Sequence, residues 1–144
     1  MGEAIVVGTD GSETAKRAVD EATRLAKALD AELHIVSAFK PLTGAHVTGA
    51  PTAAAKVWQP LPDSRVEAIL EQAAAEARFR DVKHKTHSSD DDPADALIAV
   101  ARQVDADMIV VGNKGMQGAR RVLGSVPNKV THNAPCNVLI VSTA

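Results

Sequence analysis

Three short stretches of the chain are apolar without a break: Ala4–Val7, Met108–Val111 and Val138–Val141. Unbroken runs of this length match strands covered on both faces, the state of strands in a parallel sheet. Leu33–Ala38 reads as a further strand carrying His34 and Ser37. Val82–Thr86, where Lys83 and Lys85 alternate with other residues, is polar enough for a sheet edge. The last strand is taken as Asn137–Val141.

Between these stretches the apolar period lengthens to that of helices. A first helix runs to about Leu29, with Ala18, Ala22, Leu25 and Leu29 on one stripe and Val19 and Ala26 beside it. Asp10 or Ser12 can cap it, and Asp10 with Glu13 fits a loose capping box. A second helix starts at Asp63 or Ser64 and carries Val66, Ile69, Leu70, Ala73 and Ala77. Asp92-Pro93-Ala94-Asp95 is a strong helix start, combining a cap, a proline in the first turn and an acid. Leu97, Ile98, Ala101 and Val104 supply the apolar face behind it. A fourth helix fits Val126–Asn133, capped by Ser125 and stopped before Pro135. Strands and helices thus alternate along a single domain, residues 1–144. This pattern predicts an α/β fold with one open, mainly parallel five-stranded sheet and helices on both faces.

One segment breaks the alternation. Lys40–Pro62 contains Pro41, Pro51, Pro60, Pro62, Gly44 and Gly49, shows no period, and holds Trp58. A loop of that length in a compact domain is usually mobile or functional, and Trp58 is a candidate to pin it to the body or to a partner.

Composition narrows the picture. Hydrophobic residues make up 45% of the chain, yet the aromatics are only Phe39, Trp58 and Phe79, so the core must be aliphatic. That suits helix-covered parallel strands better than an aromatic-rich sandwich. Cys136 is the sole cysteine and can form no intramolecular disulfide, which points to a reducing, cytoplasmic setting. No run approaches the roughly 20 apolar residues of a membrane helix. The stretch before Ala4 is too short for a signal peptide.

Charge is unevenly placed. Met108–Ala144 has no Asp or Glu but holds Lys114, Arg120, Arg121 and Lys129, leaving residues 1–107 six charges negative within a total of −2. This is not the broad basic footprint of a nucleic-acid binder. It suits a local anion site, with chance clustering as the plain alternative.

The candidate chemistry lies in that acid-free stretch. Gly112-Asn113-Lys114-Gly115, eight further residues and then Gly124-Ser125 connect the fourth strand to a helix start. Ligands of open α/β sheets bind beyond the carboxyl ends of the strands. Glycines there let backbone N–H groups approach a ligand, and the helix start favours an anion. Ser125 adds a hydroxyl, and Lys114, Arg120 or Arg121 can offset phosphate charge. The same glycines could instead serve only tight turns. Gly8-Thr9-Asp10-Gly11 ends the first strand at the same crevice, where Asp10 could meet ribose hydroxyls or a divalent ion, or act as a helix cap alone.

Other polar residues have structural readings. His84 and His87 lie near Asp90, Asp91 and Asp92, but a strand places them on opposite faces and no third ligand has a fixed spacing. The acids fit a cap for the following helix. His34 and His132 have ordinary structural roles, and Cys136 is expected as a buried thiol beside the last strand. Neither a Gly-x-Ser-x-Gly elbow nor a Walker lysine motif is present.

Gly-Thr-Asp-Gly-Ser after the first strand, Val-Val-Gly-Asn-Lys-Gly, Leu-Gly-Ser-Val-Pro and the closing Ala-Pro-Cys-Asn-Val-Leu-Ile-Val together resemble the universal stress protein family over essentially the whole chain. ATP-binding members carry Gly-x2-Gly-x9-Gly-(Ser/Thr); here the second gap is eight residues. The resemblance implies a sheet order of 3-2-1-4-5 in a Rossmann-like fold. It implies an adenine nucleotide as ligand, ATP or AMP with cyclic AMP as a further candidate. Thr9 and Asp10 would meet the adenosine part, Asp10 lying near ribose or a nucleotide-bound Mg2+. Ala38 would line the adenine, while Gly112, Asn113, Gly115, Gly124, Ser125 and Val126 would hold ribose and phosphates. A homodimer through Val138–Val141 is implied as well. The function expected is regulatory, in stress response, without catalytic residues. A ligand-free dimeric interaction module and a slow ATPase are the alternatives; a phosphoacceptor receiver domain lacks its aspartate after Thr86-His87-Ser88.

Overall fold

The computed structural model describes residues 3–38, 60–113 and 125–142, with the backbone alone for 60–64. Its elements alternate as β1 Ala4–Gly8, α1 Glu13–Leu29, β2 Glu32–Ala38, α2 Pro60–Phe79, β3 His84–Ser89, α3 Pro93–Gln103, β4 Met108–Gly112, α4 Ser125–Asn133 and β5 Asn137–Val141. The strands form one sheet in the order β3-β2-β1-β4-β5, with every pairing parallel. Ile5 of the central strand stands opposite Leu33 on one side and Met108 on the other.

The pleat divides the apolar strand residues between two cores. Ile5, Val7, Leu33, Ile35 and Val110 face α1 and α2, meeting Ala18, Ala22, Leu70 and Ala77. Val6, Val36, Ile109 and Val111 face α3 and α4, meeting Leu97, Val100, Ala101 and Val130. Continuous apolar runs were the visible sign of this two-sided burial. The alanines on the helices let the two layers lie close without aromatic filler.

The amino ends of β2, β3 and β4 are reached through three copies of one turn. Asp30, Asp81 and Asp105 adopt left-handed φ values of 56°, 59° and 54°. In each case the next residue sends its N–H back to the helix: Ala31 to Ala26, Val82 to Ala77 and Ala106 to Ala101, all at 2.9 Å. That six-to-one bond is the Schellman closure, and the residue donating it is buried in all three.

Several boundaries differ from expectation. α2 begins at Pro60, so the irregular segment ends before Pro62; prolines are tolerated in a first turn, where no intrahelical N–H is needed. Residues 39–59, Trp58 among them, lie outside the described residues. β3 is His84–Ser89 rather than Val82–Thr86, because its limits are set by pairing of Leu33–Ala38 with 84–89. Leu29 is 48% exposed, since Ala31 takes the buried position at that turn. Ser12 alone caps α1, accepting from the Ala15 N–H, while Asp10 accepts from the Ser12 N–H outside the helix. Ser125 is already the first residue of α4.

Candidate functional site

The carboxyl ends of β1, β2 and β4 open into one cavity of about 170 Å3. Gly8, Thr9 and Asp10 enter it from β1, Val36 and Ala38 from β2, and Val111 and Gly112 from β4. The amino-terminal ends of three helices close the remaining sides: Ser12, Thr14 and Ala15 at α1, Pro93 and Leu97 at α3, Val126 and Pro127 at α4.

Short-range bonds fix the rim. The Thr9 N–H donates to the Val36 carbonyl at 2.9 Å, extending the β1–β2 ladder past Gly8. Thr9 Oγ1 accepts from the Gly11 N–H at 3.1 Å, and Gly11 has a φ of 83° that the turn requires. Asp10 Oδ1 accepts from the Ser12 N–H at 2.9 Å, an Asx turn that holds the carboxylate at the mouth. Ser12 Oγ accepts from the Ala15 N–H at 3.2 Å and shares a bond with Thr14 Oγ1 at 3.1 Å.

The apolar wall has its own constraint. A Cβ on Gly8 would stand 3.1 Å from Leu97 Cδ2, so α3 rides close over β1 because Gly8 has no side chain. Lys129 Nζ of α4 reaches Asp95 Oδ1 at 3.0 Å and Asp92 Oδ2 at 3.6 Å, tying α4 to the first turn of α3. The Asp95 bond leads in holding the Lys129 pKa above its ordinary value. Asp92 also caps α3, accepting from the Ala94 N–H at 3.2 Å.

Of the residues singled out in the sequence, Thr9, Asp10, Ala38, Gly112 and Val126 come together around this cavity. Asn113 and Ser125 do not line it. The Asn113 N–H continues the β4–β5 ladder to the Val141 carbonyl at 3.0 Å, and Ser125 is exposed at the head of α4. Gly115 and Gly124, with Lys114, Arg120 and Arg121, lie outside the described residues. Sequence reasoning missed Leu97, Pro93, Pro127, Ser12 and Thr14. A signal existed: each sits on the first or second turn of a helix that follows a strand, the end where such sheets gather ligands.

A second polar group was also missed. His34, 3% exposed, meets His87 of the neighbouring strand, with His34 Nδ1 and His87 Nε2 2.9 Å apart. His34 Nε2 lies 3.1 Å from Glu32 Oε1. Burial is the chief cause lowering both imidazole pKa values, and for His87 the His34 ring adds to it. His84 is directed elsewhere, its Nδ1 being 2.9 Å from the Val82 carbonyl. Among the described residues no three His, Cys, Asp or Glu side chains converge as metal ligands. Cys136 is half-buried rather than buried; burial, then Asp107, pushes its thiol pKa up, away from nucleophilic character. No helix among the described residues is long and apolar enough to cross a membrane.

Known proteins place this architecture. A universal stress protein of Mycobacterium tuberculosis is 37% identical over 152 residues, covering 96% of this chain and 95% of the relative. One from Methanocaldococcus jannaschii is 33% identical over 143 residues, covering 95% and 80%. A universal stress protein solved in complex with cAMP superposes with a TM-score of 0.76 at 34% identity, covering 99% of this chain and 98% of its own. The sequence profile of the universal stress protein family matches residues 1–142, and the chain belongs to that family.

Proposed function

We propose that this protein is a regulatory adenine-nucleotide binder that holds its ligand in the cavity at the carboxyl ends of β1, β2 and β4. The observation carrying this reading is the convergence of Thr9, Asp10, Ala38, Gly112 and Val126, distant in sequence, on one concave surface. The relative solved with cAMP, 34% identical, supports it. Val36, Leu97 and Pro93 offer apolar contact to a base beside the Ala38 backbone, and Asp10 at the mouth suits ribose hydroxyls. Gly112 and the start of α4 face the phosphate, in the part of the chain that carries no acid.

Among the described residues the donors for a phosphate are limited. The Ala15 and Ala94 amides are already held by Ser12 and Asp92. Pro93 and Pro127 have no N–H, so among the described residues few amides around the cavity remain to meet a phosphate. A Mg2+ accompanying ATP would find Asp10 as its protein ligand. The protein works without turnover, in the cytoplasm, as a homodimer through β5, the outer strand on which Ile140 is 36% exposed.

Titration calorimetry with ATP, AMP and cyclic AMP tests the reading, with Gly112→Asp as control. Micromolar affinity, reduced at least about tenfold by a carboxylate facing the phosphate, is expected. No heat with any of the three would leave an interaction module of the same fold. Sedimentation of Ile140→Lys tests the dimer; an unchanged sedimentation coefficient would remove β5 from it.

A further inference from the structure

His34 and His87 make a direct imidazole–imidazole bond on the sheet face that carries α3, and its proton order can be worked out. A carboxylate only accepts, so His34 Nε2–H donates a hydrogen bond to Glu32. His34 Nδ1 is then an acceptor, and His87 Nε2 must donate to it. The nitrogen left to take up a further proton is His87 Nδ1. One added proton there keeps every bond and puts a positive charge on His87, bringing the set His87, His34, Glu32 from one negative charge to neutral. A second would set N–H against N–H across 2.9 Å and break the pair.

This chain runs between the two ends of the sheet. Glu32 lines an open cavity of about 620 Å3 at the amino edge, together with Lys27, Asp30, Asp81 and Lys83. His87 stands in register with Val36, a wall of the ligand cavity at the carboxyl edge. The charged neighbours are Glu32 on β2, which favours the added proton, and Lys85 on β3, which opposes it. Val6, the β1 neighbour of His34, is apolar, and the buried residues of α3 are Ala, Leu, Ile and Val, so neither element adds charge.

We infer that Glu32, His34 and His87 form a proton relay that couples acidification to ligand occupancy of the adjoining cavity, an inference that rests on the nucleotide-binding reading above. The charge gained lies one strand from Val36, on the base side of the cavity, and acts on the phosphate at Gly112 through the sheet, so proton and anionic nucleotide each favour the other by longer-range attraction. Linkage makes this reciprocal: whatever factor a proton adds to nucleotide affinity, the nucleotide adds to proton affinity.

Cyclic AMP is the suitable probe, because its single phosphodiester charge is constant over the range in which imidazoles titrate. Its Kd is measured by calorimetry at about pH 7.5 and about pH 5.5, in buffers of differing ionisation enthalpy, for the wild type, His87→Gln and Glu32→Gln. Thermal melts confirm that each variant is folded. The wild type should bind about two- to fourfold tighter at the lower pH, a range set by one charge acting through partly screened surroundings. It should also take up a fraction of a proton per nucleotide. His87→Gln should abolish that uptake and flatten the profile, and Glu32→Gln, which removes the supporting charge, should weaken both. Equal profiles in wild type and His87→Gln would overturn the relay while leaving nucleotide binding intact. Absence of binding at both pH values would overturn the nucleotide reading and the coupling with it.

Discussion

The two edges of the sheet are built on opposite principles. At the amino edge α1, α2 and α3 each return to the next strand through a closed turn in which an aspartate in the left-handed region is followed by a buried residue donating backward. Backbone groups there are satisfied locally and the turn is short. At the carboxyl edge the strands end in Gly8, Ala38 and Gly112, and helix starts gather around empty volume. Stability is concentrated at one edge and recognition at the other, the division expected when a scaffold holds a variable site.

Substitution at the carboxyl edge should break both properties at once. Gly8→Val places methyl groups where even a Cβ stands 3.1 Å from Leu97. Overpacking of this kind costs about 1–3 kcal/mol, read as a lower urea midpoint. The same methyl groups fill the cavity floor, so cyclic AMP binding should disappear in calorimetry. Retained affinity would show that the ligand sits elsewhere.

At the amino edge the two properties should separate. Asp105→Val forces a β-branched residue into a φ of 54°, at a cost of about 1–2 kcal/mol. Nucleotide affinity should remain at the wild-type value, because Asp105 lies at the far end of the sheet from the cavity. A comparable loss of affinity would mean that the two edges are mechanically linked. Asp92→Ala is an intermediate case: it removes the α3 cap next to Pro93 and should cost about 1 kcal/mol. Its effect on affinity should be slight, since the carboxylate itself does not line the cavity.

What the sequence disclosed follows the same division. Buried strands, helix faces and the Asp92-Pro93 start were legible, because buried runs and caps are local patterns, whereas the strand order came from the family resemblance. The β3 limits were not, since His84–Ser89 is polar and takes its register from β2 rather than from its own composition. Thr9, Asp10, Ala38, Gly112 and Val126 could be picked out from glycines, strand ends and family resemblance. Leu97 could not, because a leucine on a helical stripe looks the same whether it packs on a strand or also walls a cavity. The His34–His87 bond was invisible for a related reason: it spans 53 positions and depends on strand register alone.

That bond predicts the mildest effect, a dependence of stability on pH. Burial holds both folded-state imidazole pKa values below the ordinary value of about 6.5. As pH falls through that value, the unfolded chain takes up protons that the folded chain does not yet bind. Unfolding is therefore favoured progressively, until the pH reaches the lowered folded-state values. Stability from the pair is complete above the ordinary value and declines below it, so the urea midpoint at about pH 5.5 should fall under that at about pH 7.5. His34 is buried and His87 half-buried, but the Glu32 carboxylate offsets part of the burial cost for both rings, so the decline should be shallow. Replacing both histidines by Gln should remove their share of the slope. An unchanged slope would assign it to other groups, whereas a steeper one would mean that the paired rings bind protons more readily when folded, reversing the sign argued from burial.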